Sequence, residues 1–148
     1  MKIGEDVIID DWVKIKRPEL VEISNHVAID WGFFCSTQMI LGDYVHISPH
    51  VSCIGWKNGQ FIAKGFKNIM AGARSVCGSD RFDDSGLFGA MIPEKYKGKQ
   101  IVAPVIMDEF SNIGTNAIVL PGSHLRTGVL LAAGSLLMGD TEEWGIYK

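Results

Sequence analysis

The chain has 148 residues, 47% of them hydrophobic and 21% charged, which is one domain's length with enough apolar matter for a packed core. Its 14 Lys and Arg against 17 Asp and Glu give a net charge of −3, and no basic block runs through it, so the electrostatic footprint of a nucleic-acid binder is absent. An anionic ligand must then be caught by local geometry.

The opening stretch carries Glu5, Asp6, Asp10 and Asp11 where a secretory signal needs a positive start and an unbroken apolar run. The longest apolar run, residues 128–138, is interrupted by glycine and serine and falls far short of the roughly 20 residues that cross a bilayer. Cys35, Cys53 and Cys77 are odd in number and lack Cys-x-x-Cys spacing, which suits reduced thiols. The expectation is a cytoplasmic protein with no integral membrane segment.

Seventeen glycines call for a search for repeats. Ile3 and Ile9 head two groups of six, and the segment around Arg17-Pro18 absorbs a two-residue offset before the next phase begins. Ile23, Ile29, Cys35, Leu41, Ile47 and Cys53 then head successive sixes, with Val27, Phe33, Met39, Val45 and Val51 at the fifth place. Residues 55–62 form a turn-rich excursion, and Ala63 to Asp80 reads as one degenerate coil. Residues 81–104 are too long and polar for a coil turn, and a loop of that length in a compact domain is predicted to touch a substrate or partner. From Met107 the sixes resume at Ile113, Val119, Leu125 and Leu131.

A helix would repeat its apolar residues every 3.6 positions. Here positions five and one flank a sixth that faces away, which is the alternation of a strand, with Gly, Asp or Asn supplying the turns. Three such strands make a coil of 18 residues, so Cys35 and Cys53, 18 apart, are predicted to stack inside adjacent coils. The whole chain, 1–148, is read as one domain.

This pattern resembles the hexapeptide-repeat proteins, especially their acyltransferases, and the segment Gly42-Asp-Tyr-Val-His-Ile resembles one found in sugar acyltransferases. The resemblance implies an all-β, left-handed parallel β-helix with a projecting loop; handedness rests on it alone, because crossovers are ordinarily right-handed. It also implies a homotrimer with sites between copies, to which the outward Trp31, Phe34, Trp56 and Ile118 add exposed apolar surface. In such relatives the stretch after Glu142 leads into a terminal cap, which this sequence does not reach. The implied activity is transfer of an acetyl or other acyl group from acetyl-CoA to a hydroxyl or amine of a sugar or sugar nucleotide.

Acyl transfer needs a general base at the acceptor and donors for the tetrahedral oxyanion. Histidine is the natural base. His46, outward on a strand, is the first candidate and His50, near a corner, the second; Asp43 is expected to bias the His46 tautomer. Thr115, Ala133 and Gly134 match positions that contact coenzyme A in the related enzymes, and Asp80 is the candidate for holding a sugar hydroxyl. Two other functions share the fold: a non-catalytic binding or scaffold β-helix, and a zinc enzyme like the β-helical carbonic anhydrases, whose three histidines have a different spacing from His26, His46 and His50. No metal site is expected.

Overall fold

A computed structural model describes residues 1–148. Three parallel sheets form the sides of a prism of about seven coils, consistent with a left-handed β-helix. The first face stacks strands Lys2–Ile3, Val21–Ile23, Gln38–Leu41, Gln60–Ala63, Val105–Met107 and His124–Leu125. The second stacks Val7–Ile9, Val27–Ile29, Val45–Ile47, Lys67–Ile69, Asn112–Ile113, Leu130–Leu131 and Ile146–Tyr147. The third stacks Lys14–Ile15, Phe34–Cys35, Ser52–Ile54, Arg74–Val76, Ile118–Val119 and Leu136–Leu137.

The six-residue phase read from the sequence is the register found. Val27, Ile29, Phe33, Cys35, Met39, Leu41, Val45, Ile47, Val51 and Cys53 are all buried in one continuous core, as are Met107, Ile113, Val119, Leu125 and Leu131. Cys35 pairs directly with Cys53 on adjacent strands, and all three cysteines are buried and free.

Turn chemistry fixes the edges. At the first edge, between the first and second faces, Asp6, His26, Tyr44, Phe66, Phe110 and Trp144 all have φ between 53° and 60°, the left-handed region that bulky residues ordinarily avoid. That conformation turns the N–H along the prism axis, so His26 donates to the Glu5 carbonyl, Tyr44 to Asn25, Phe66 to Asp43 and Phe110 to Gly65. The second edge, between the second and third faces, repeats the device with Trp12, Gly32, His50, Gly72, Asn116 and Gly134.

Both interruptions are more ordered than loops. Gln60–Ala63 is a regular strand of the first face, so the first excursion narrows to the turn around Lys57 and Asn58. The second begins and ends as an antiparallel pair, Gly78–Asp80 with Gln100–Val102, and carries a short 3-10 turn at Glu94–Tyr96. This arm leaves from the third edge, between the third and first faces. The degenerate coil is a true coil, but Lys67 takes an inward place where the preceding coil has Val45.

Candidate active site

The second face carries an outward column in which Ala28, His46 and Asn68 are direct neighbours across strands. A groove of about 560 Å³ runs along it, floored by His46, Asn68 and Asn112 and walled by Tyr44, Phe66 and Phe110 of the first edge. Those rings stack nearly parallel, Tyr44 on Phe66 at 5.0 Å and Phe66 on Phe110 at 5.3 Å between centroids, because the strand spacing sets their separation. Ala28 has no bulk to cover the imidazole of His46, so the ring is half-exposed to the groove.

Asp30, not Asp43, engages that imidazole. The Asp30 carboxylate accepts from His46 Nε2 at 2.9 Å, which leaves Nδ1 as the ring's free acceptor. Asp43 is spent elsewhere, accepting from the Asn25 backbone N–H at 2.8 Å. Position three of its six faces the corner backbone, whereas position two of the preceding coil lies beside a position-six side chain. A His–carboxylate pair of this kind holds the tautomer and can carry a proton.

The same rule produces a second pair that the sequence reading passed over. His124, also at position six, donates from Nε2 to Asp108 at 2.8 Å, again 16 residues earlier. Asp108 is further held by Lys64 at 2.8 Å. Burial pushes the Asp108 carboxyl upward, but the hydrogen bonds from Lys64 and His124 outweigh it and leave it below the usual carboxylate range. This pair is largely buried and lies outside the groove. The separation of 16 is the sequence signal for both pairs once the 18-residue coil is accepted.

His50 sits on the second edge, edge-on to Trp31 at 4.3 Å and packed over the bare Cα of Gly32. Thr115, Ala133 and Gly134 come together two and three coils further along that edge, all exposed, with the Gly134 N–H donating to the Thr115 carbonyl at 2.8 Å. A side-chain carbon at Gly134 would have no neighbour within 4 Å. The backbone there lies open, which suits a pantetheine arm laid along the edge. With coils about 4.8 Å apart, these residues are about 10–15 Å from the coil of His46.

Asp80 belongs to the arm, where its carboxylate accepts from the Gln100 side-chain amide at 3.1 Å. The third edge is opposite the second face of the prism, so one copy of the chain does not bring Asp80 to His46. No group of three or more His, Cys, Asp or Glu side chains is placed to hold a metal ion, and no helix is long and apolar enough to cross a membrane.

No protein-family model matches the chain, and no curated protein matches it. Among solved structures it is similar to AntD, an N-acyltransferase from Bacillus cereus in complex with dTDP and coenzyme A, at 26% identity and a TM-score of 0.92, over 98% of this chain and 77% of that one. It matches AntD in complex with dTDP and 3-hydroxybutyryl-CoA at 27% identity and a TM-score of 0.91, over 98% of this chain and 76% of AntD. A hexapeptide-repeat acetyltransferase from Vibrio cholerae shares the fold at 11% identity and a TM-score of 0.57, over 98% of this chain and 66% of that one. The resemblance to hexapeptide-repeat acyltransferases thus holds in the architecture of the whole chain.

Proposed function

We propose that the protein is a coenzyme A-dependent acyltransferase acting on an amine or hydroxyl of a sugar nucleotide. The observation that carries this reading is the match to AntD over 98% of the chain, a protein whose complexes hold both dTDP and coenzyme A. His46, oriented by Asp30, is the general base. As the acceptor's nitrogen or oxygen attacks the thioester carbonyl, its proton passes to His46 Nδ1; the new C–N or C–O bond forms, the C–S bond breaks, and the proton is returned to the departing thiolate. Thr115, Ala133 and Gly134 line the coenzyme's path, and Asp80 binds the acceptor sugar. Because Asp80 and His46 are on opposite sides of one prism, the site is completed between copies, in a homotrimer.

The test is thiol release from acetyl-CoA and 3-hydroxybutyryl-CoA against a panel of amino sugars, glycosides and sugar nucleotides, with dTDP-4-amino-4,6-dideoxyglucose among them. Activity is expected with a nucleotide-linked acceptor, and His46→Ala is expected to lower kcat by about 10²–10⁴ while leaving acyl-CoA affinity nearly intact. Saturable acetyl-CoA binding without turnover on any acceptor would instead indicate a binding module. Full kcat in His46→Ala together with its loss in His50→Ala would exchange the two histidines' roles.

A further inference from the structure

The third face holds a cleft of a different character from the His46 groove. It measures about 420 Å³ and is lined by Lys16, Arg17, Phe34, Ser36, Trp56 and, from the arm, Ala90. Neither Lys16 nor Arg17 has a carboxylate partner, and neither does Lys14 or Lys57 beside them, although the chain as a whole is acidic. Arg17 is not loose: its Nη1 donates to the Ser36 carbonyl at 2.6 Å, which fixes the guanidinium against the third edge and leaves its other N–H groups free. The Lys16 ammonium stands 5.8 Å from the centre of the Phe34 ring.

Two unneutralised cations next to two aromatic rings match a ligand that is anionic at one end and planar at the other. Arginine's planar fork suits phosphate oxygens, and exposed rings stack on a base of any sequence. A smaller recess of about 180 Å³ adjoins the cleft, sharing Trp56 and Ala90 with it and lined by Asp80, Lys97 and Gln100. A group attached beyond the phosphates has a polar place to go, with the Asp80 carboxylate available to a sugar hydroxyl.

We infer that this cleft is a nucleoside 5′-diphosphate subsite, with the diphosphate against Lys16 and Arg17 and the base against Phe34 and Trp56. The inference deepens the acyl-transfer reading and rests on it for the expectation of a nucleotide-linked substrate. The same chemistry occurs in a dTDP-linked acceptor and in coenzyme A, and the two are separated by experiment.

Titration calorimetry of the full chain with dTDP and, separately, with coenzyme A compares the wild type with Lys16→Gln, Lys16→Glu and a distant control, Lys148→Gln. Lys16 is exposed, so its variants should keep the wild-type thermal midpoint. Loss of one charge-assisted phosphate contact is expected to weaken binding about tenfold or more, more in Lys16→Glu, with the control unchanged. Weakening confined to dTDP assigns the subsite to the acceptor, and weakening confined to coenzyme A assigns it to the coenzyme. Equal affinity of wild type and both Lys16 variants for both ligands overturns the inference, as does wild-type binding that is indifferent to salt between 0.05 and 0.5 M, since a site built on two cations must weaken as charges are screened. Acyl transfer by a wild type whose Lys16 variants bind normally would remove the subsite and keep the acyl-transfer reading. Lys16-dependent dTDP binding with no thiol release on any acceptor would do the reverse.

Discussion

Lys67 should make the protein's stability depend on pH in a way that one substitution removes. Its side chain points into the prism, where the residue is only 3% exposed, and its ammonium donates to the carbonyls of Asp108 at 2.6 Å and Met107 at 3.2 Å and to Ser111 Oγ at 3.3 Å. Burial pushes its pKa down from 10.5 to about 8, against the smaller opposing pull of Glu109 and Asp108. Between about pH 8 and 10.5 the unfolded chain therefore holds a proton at this lysine that the folded chain has released, and stability from this group rises with pH through that window. The full gap, at 1.36 kcal/mol per pH unit, is worth about 3 kcal/mol. The wild type carries this cost below pH 8 and is free of it above 10.5.

The buried thiols work in the opposite direction, because burial raises Cys35, Cys53 and Cys77 and keeps them protonated in the fold after the unfolded chain has ionised them. Absolute stability can thus fall at high pH while the Lys67 contribution rises. Comparison with Lys67→Met cancels the thiols, which both proteins share. Methionine leaves the acceptors served, since the Met107 carbonyl still receives the Lys64 N–H and the Asp108 carbonyl the Ser111 hydroxyl. Urea unfolding of both proteins at pH 7, 9 and 10.5 should show the wild type gaining about 3 kcal/mol on the variant across the series. A difference that stays constant to within about 1 kcal/mol would refute the reasoning, because it would mean the ammonium reaches water in the folded state.

Three further outcomes test the fold and the edge proposed to hold the coenzyme. Leu125→Asp places a charge at a fully buried position and should cost several kcal/mol; a cooperative urea transition at the wild-type midpoint would contradict the register. Gly128→Ala sets a methyl inside the Trp144 indole at φ +71°, and the expected loss of about 1–3 kcal/mol is read as a lowered Tm that Trp144→Ala partly restores in the double variant. Gly134→Ala meets no atom within 4 Å, so its stability cost should be only the 1–2 kcal/mol of the left-handed backbone, while acetyl-CoA binding weakens about tenfold; unchanged affinity would take the coenzyme off this edge.

The repeat was legible because most inward places are filled by apolar residues at the same interval, with small Ser or Ala at several fifth places, and a six-residue period leaves no competing helical reading. Lys67 broke the pattern without hiding it: the chain threads a lysine into the core, where its carbon stem packs like an aliphatic residue and its head finds three oxygens. Sequence alone gave no sign of those oxygens, since they come from a coil separated from Lys67 by the whole arm. The arm's hairpin was illegible for a related reason. Gly78–Asp80 and Gln100–Val102 pair at a separation set by the intervening residues and not by the repeat, and neither strand alternates cleanly. The His–Asp pairs show the reverse case, in which the information was present and unused. A histidine at position six and an aspartate at position two one coil earlier are 16 residues apart in both pairs, so the prism converts a sequence interval into a contact of under 3 Å. Of these two pairs only His46–Asp30 lies in a groove, because Ala28 stands next to His46 on the neighbouring coil, whereas Ile106 stands in that place beside His124. The small neighbour leaves the His46 imidazole open to the groove, whose lining also holds His26, paired with Asp6, so the contrast between His46→Ala and the other histidine variants is what tests the proposed base.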